Sequence, residues 1–149
     1  MTNVNFINKI GAFYPIKLSS KDSKHTFYID YEQLPSQSVV GFYLVLAGMQ
    51  LHQTFTVHLT ITDDTGQVLV DTDNSIDSDS FPEENTIQEI GISTSTFSIN
   101  PKTFPVQTGT HVYRASVVLK DASGDVWDNA STWFLTRLDP DKKEQATEH

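Results

Sequence analysis

The 149 residues carry 19 Asp and Glu against 10 Lys and Arg, a formal net charge of −9, and no cysteine. That balance argues against binding a DNA or RNA backbone or an anionic membrane, since both need clustered Lys and Arg. The missing thiols exclude disulfides, a thiolate nucleophile and cysteine-based metal sites, while the length is enough to bury a core without such staples.

In chain order, Ala12 to Leu18 and His25 to Tyr31 read as extended segments flanking a polar turn, Ser19 to Lys24. Val39 to Leu46 follows as a run rich in β-branched and aromatic residues. The clearest pattern is Thr54 to Thr62, where Phe55, Val57, Leu59 and Ile61 alternate with Thr56, His58 and Thr60. Period two over nine residues predicts a strand with one buried and one wet face. Asp63-Asp64-Thr65-Gly66 then suits a tight reversal into Gln67 to Val70, predicting a hairpin. Ile90 to Ile99 reads as a strand whose apolar phase slips between Ile92 and Phe97, which predicts a bulge. A second hairpin is predicted where Tyr113, Ala115, Val117 and Leu119 alternate with polar residues before Asp121 to Asp125 turns the chain. Its return strand is Val126 to Leu138, with bulk from Trp127, Trp133, Phe134 and Leu135, and a bulge expected at Asn129 to Ser131.

These elements predict an all-β fold, an antiparallel β-sandwich of about seven or eight strands with no helical periodicity. The segment Gly109 to Asp125 resembles the late Gly-x-Tyr hairpin common in immunoglobulin-like sandwiches, without the cysteine pair of antibody domains. Residues 1–138 are expected to form a single sandwich domain, and residues 139–149, almost devoid of apolar side chains, a disordered polar tail. The N-terminus has neither the basic start nor the apolar run of a secretory leader, so the expected location is cytoplasmic.

Charge is segregated along the chain. Between Lys24 and Lys102 there is no Lys or Arg, and eleven acids fall in that gap. Asp63, Asp64, Asp71, Asp73, Glu83 and Glu84 are therefore the candidates for contacting a partner, against the alternative that like charges keep sheet edges apart. Asp71, Asp73, Asp77 and Asp79 form a weak calcium candidate in what reads as an acidic loop. Ile76 stands where a calcium loop needs Gly and Pro82 where it needs a bidentate Glu, so no metal and no cofactor are expected.

His58 and His111 fall on predicted wet faces, where they would be able to meet across a sheet, but no metal-ligand spacing accompanies them. Tyr14, Tyr28, Tyr31 and Tyr43 have the chemistry of a sugar-stacking face, while Phe27, Tyr31 and Phe42 fit core packing. With no nucleophile elbow and no phosphate loop, the chain is expected not to be an enzyme. The leading expectation is a non-catalytic, accessory module that binds another protein or a second copy of itself. The alternatives are a calcium- or carbohydrate-binding module, an acidic nucleic-acid mimic that inhibits a DNA-binding protein, and a glycan-active hydrolase.

Overall fold

A computed structural model describes residues 6–18 and 26–141 of the chain. Its fold is an all-β sandwich. Eight strands of four or more residues are β1 (Lys9–Lys17), β2 (Tyr28–Tyr31), β4 (Val40–Gln50), β5 (Thr54–Asp63), β6 (Val68–Asp77), β7 (Ile92–Ile99), β9 (His111–Asp121) and β10 (Val126–Leu138). The two-residue strands β3 (Ser36–Gln37) and β8 (Pro105–Val106) pair only with each other. One sheet has the order β1-β4-β7 and the other β2-β10-β9-β5-β6. Two 3-10 turns, Ser78–Ser80 and Glu83–Asn85, lie between β6 and β7.

The alternation in the sequence sets which side chains meet between the sheets. Phe55, Val57, Leu59 and Ile61 from β5 and Tyr113, Ala115, Val117 and Leu119 from β9 are all buried. Opposite them lie Phe42, Leu44 and Leu46 of β4. Phe42 and Phe134 meet edge to face across the sandwich with ring centroids 6.0 Å apart, and Phe134 stacks on Tyr113 at 4.7 Å. Such aromatic contacts add to the transfer energy of the rings.

Both predicted hairpins form, and their turns are two copies of one device. In Asp63–Gln67 the first carboxylate accepts from the Thr65 and Gln67 amides, each at 2.9 Å, and Gly66 takes φ of 90°. In Asp121–Asp125 the first carboxylate accepts from the Ser123 and Asp125 amides at 2.9 and 3.0 Å, and Gly124 takes φ of 87°. The shared Asp-x-Thr/Ser-Gly spelling thus encodes a shared conformation, in which the Asx side chain closes the loop and Gly supplies the left-handed residue. These hydrogen bonds hold the Asp63 carboxyl, through Thr65 first, and the Asp121 carboxyl, through Trp127 first, below the ordinary carboxylate range. A depressed carboxylate stabilises the fold above its unfolded value, and that contribution is lost as pH falls through the folded value. The melting temperature should therefore drop below about pH 4, and less steeply in an Asp63→Asn/Asp121→Asn variant. Thermal unfolding followed between pH 7 and pH 2 checks this, and parallel curves for the two proteins would contradict it.

Several expectations are corrected. The sandwich is not antiparallel throughout: the segments flanking Ser19–Lys24 go to different sheets, β1 to β4 and β2, in parallel, to β10, while the Thr26 N–H still donates to the Pro15 carbonyl at 3.0 Å between them. That β2–β10 pair is the one parallel ladder among otherwise antiparallel pairings of the described residues. The turn itself lies outside the described residues, apart from its flanks. The slip expected within Ile90–Ile99 belongs to β4, where register shifts between Leu46 and Met49 around Gly48 at φ 63°. In β10 the irregularity lies between Val126 and Asp128, and Asn129 to Ser131 pair regularly with β9. The bulge turns the Trp127 indole back onto the hairpin turn, where its Nε1 donates to Asp121 at 3.0 Å. At the C-terminus, Asp139 still joins the fold by donating its N–H to the Tyr31 carbonyl at 2.8 Å, and residues 142–149 lie outside the described residues.

Candidate functional site

Edges decide what a sandwich can offer to a partner, because their outward backbone groups are unpaired by the sheet. Of the four outer strands, β1 is bent by a register shift at Gly11, and its Ile10 N–H donates to Asp128 of the other sheet at 2.8 Å. β7 is partly blocked at its start, where the Asn85 side chain donates to the Thr94 carbonyl at 3.0 Å. β2 has four residues. β6 has ten, and among the described residues only β5 pairs with it.

The acidic stretch expected to be a loop is the second half of that strand. Strand β5 continues beside it, pairing His58 with Asp73 and Thr54 with Asp77, so the polar residues 71–77 gain ladder partners and stay extended. Their alternation places Asp71, Asp73, Ser75 and Asp77 on the outer face, all exposed. His58 comes up from β5 between the first two, its Nε2 2.6 Å from Asp71 Oδ1 and its Nδ1 2.5 Å from Asp73 Oδ1. The imidazole therefore fixes the two carboxylates in line along the strand.

The remaining acidic candidates divide by task. Asp63 closes the β5–β6 turn. Asp64 accepts from the Val112 N–H at 3.1 Å and lies 3.5 Å from His111 Nδ1. Asp77 caps the first 3-10 turn by accepting from the Asp79 amide, and Asp79 in turn accepts from the His52 N–H and lies 2.8 Å from its Nδ1. Glu83 and Glu84 are exposed in the first turn of the second 3-10 segment. The calcium candidates thus do not converge: same-face residues of a strand stand about 6.5–7 Å apart, whereas one calcium ion needs oxygens within about 2.6 Å of itself. No group of three or more His, Asp or Glu able to hold a metal occurs among the described residues. His58 and His111 do not meet either, since His58 pairs with Val118 in register and His111 with Thr136.

The four tyrosines also separate. Tyr31 is buried, and its hydroxyl accepts from the Val39 N–H at 3.1 Å. Burial, first among the causes, raises the Tyr31 and Tyr113 hydroxyls above the ordinary phenol value. Tyr14 and Tyr43 stack on each other at 4.9 Å across the β1–β4 pair. Tyr28 alone stands out at 54% exposure. Its neighbours are Trp133, edge-on at 6.2 Å and 42% exposed, and Arg137, whose guanidinium lies 5.1 Å over the Tyr28 ring. The Asp30 carboxylate accepts from Arg137 Nε at 2.7 Å and holds that guanidinium more firmly charged. Phe27, expected in the core, is 41% exposed beside them. Sequence reasoning counted Trp133 as strand bulk and passed over Arg137. The signal was available: with Phe134 facing inward, period two puts Trp133, Leu135 and Arg137 on the outside.

No family model matches the sequence, and no curated protein matches it. Solved structures share the fold. A protein of Bacteroides fragilis assigned as a β-galactosidase superposes with a TM-score of 0.52 at 16% identity, over 85% of this chain and 17% of that one. A β-glucuronidase of Bacteroides uniformis gives 0.52 at 11% identity, over 81% of this chain and 12% of that one. This chain is thus similar to a β-rich portion of much longer chains, and at such identities the likeness concerns the fold alone. No helix among the described residues is long and apolar enough to cross a membrane.

Proposed function

We propose that this chain is a non-catalytic accessory β-sandwich that works by docking a partner protein along the outer side of β6. The reading treats residues 1–138 as one domain followed by a polar segment. It is carried by one observation: the longest open edge strand presents Asp71, Asp73 and Asp77 on a single exposed face, two of them held in line by His58. An incoming strand would complete the backbone ladder, and Lys or Arg at its alternate positions would meet the carboxylates, which is recognition by strand addition with charge setting the register. A second copy is the poorer occupant, because pairing β6 with itself sets like charges opposite each other.

A labelled ten-residue peptide alternating Lys with Val tests the proposal. Binding should weaken steeply as NaCl is raised, since the pairs are exposed and screened within about 10 Å at 0.1 M salt. An Asp71→Asn/Asp73→Asn/Asp77→Asn variant should bind at least about tenfold more weakly, the sum of three cross-strand charge pairs. Equal binding by the variant, or a stable dimer of the chain in sedimentation, would refute partner docking at this edge.

A further inference from the structure

We infer that the outer face of the five-stranded sheet, at its β2–β10 end, binds a neutral oligosaccharide. This site is remote in sequence from β6 and does not rest on the docking proposal. In the parallel register, Tyr28 stands beside Leu135 and Asp30 beside Arg137, so the exposed aromatic and the ion pair share one face, with Trp133 next along β10. Two shallow hollows open there. One, of 550 Å³, is lined by Tyr28, Thr110, Leu135, Arg137 and Pro140 among others; the other, of 540 Å³, by Thr26, Phe27, Tyr28 and Trp133. Tyr28 borders both, so consecutive rings of a chain molecule would lie on either side of it. Both volumes fall in the range of small-molecule sites.

The chemistry selects the occupant. A pyranose offers a C–H face to an aromatic ring and a rim of hydroxyls, each both a donor and an acceptor. Arg137, whose guanidinium lies over one face of the Tyr28 ring, supplies donors only, and Asp30, which accepts from its Nε at 2.7 Å, supplies acceptors only, so the C–H face of a sugar is left to Trp133 and the rest of Tyr28. A hydroxyl pair satisfies both partners. An apolar protein surface closing over the site would instead strip water from the ion pair without replacing it, which is unfavourable. An acidic sugar is disfavoured because Asp30 already balances Arg137 and the chain carries −9.

Native electrophoresis of the full chain through gels containing a galactan, a β-glucan, a mannan or polygalacturonate tests this. At least one neutral polysaccharide should retard the protein and polygalacturonate should not. Trp133→Ala and Tyr28→Ala should each weaken retardation about tenfold, a loss of 1.4 kcal/mol. Trp133→Phe, which keeps an aromatic face and guards against misfolding of the alanine variants, should retain most of it. The Asp71→Asn/Asp73→Asn/Asp77→Asn variant, which runs more slowly in any gel because it has lost three negative charges, should be retarded relative to its own mobility in a sugar-free gel as much as the wild type is, separating this site from the β6 edge. The inference is overturned by the absence of retardation in every neutral gel, by retardation in polygalacturonate alone, or by alanine variants that bind as well as the wild type.

Discussion

Phe42→Ala and Phe134→Ala are each expected to lower the unfolding free energy by about 3–5 kcal/mol, among the largest effects of any single change in this chain. Both rings are fully buried and meet across the two sheets, so truncating either removes transfer energy and leaves a cavity that walls on both sides border. Phe42 also stacks on Phe13 and Phe134 on Tyr113, so neighbours in each sheet lose a partner as well. Leu59→Ala and Val117→Ala, buried on paired positions of β5 and β9, should each cost about 2–4 kcal/mol. His58→Ala, on the other face of β5, should change stability by less than about 0.5 kcal/mol, because its partners are exposed aspartates. Urea unfolding of the five variants measures the contrast. Equal losses at Leu59 and His58 would mean that the face of β5 is misassigned.

Asn8 should be the most sensitive polar position. It is fully buried with φ of 54°, a left-handed conformation that Asn tolerates. Its side chain donates to Gln50 Oε1 at 3.0 Å and accepts from the Gln50 N–H at 2.9 Å, while its own N–H donates to the Gly48 carbonyl at 2.9 Å. The residue thereby ties the chain leading into β1 to the far end of β4. Asn8→Ala loses both side-chain bonds, at about 1 kcal/mol each, and forces alanine into the left-handed region, for a total of about 3–4 kcal/mol. Asn8→Gly loses the same bonds but adopts the conformation freely, so it should be milder by about 1 kcal/mol although it removes more atoms. If glycine proves the more damaging substitution in urea unfolding, the backbone strain assigned to this position is absent.

What the sequence made legible was local. The alternation from Phe55 to Ile61 and from Tyr113 to Leu119 named the core faces of β5 and β9, and Asp-x-Thr/Ser-Gly named both turns, because these features depend on residues within a few positions of one another. What it left hidden was the choice of partner. A polar turn between two extended segments says nothing about whether they pair, and β1 and β2 went to different sheets. Residues 71–77 read as a loop since Asp, Asn and Ser have poor strand propensity, yet ten residues of β5 beside them offered a ladder that overrode it. The bulges moved for the same reason: a phase slip shows that an extra residue exists without saying which of two strands carries it. Of the acidic candidates, Asp63 and Asp64 turned out to serve the hairpin turn and the Val112 amide, tasks set by distant neighbours in the case of Asp64. Tyr28 was singled out, but its companions Trp133 and Arg137 lie over a hundred residues along the chain and became its neighbours only through the parallel β2–β10 pairing.

The docking proposal is tested most directly by amide hydrogen exchange, read residue by residue, with and without the Lys/Val peptide. An added strand must protect outward-facing amides of the edge it joins and leave other edges unchanged. Slowed exchange confined to β6, from Val68 to Asp77, is the result expected; slowed exchange along β2 or β7, or no protection at saturating peptide, would contradict docking at the acidic edge.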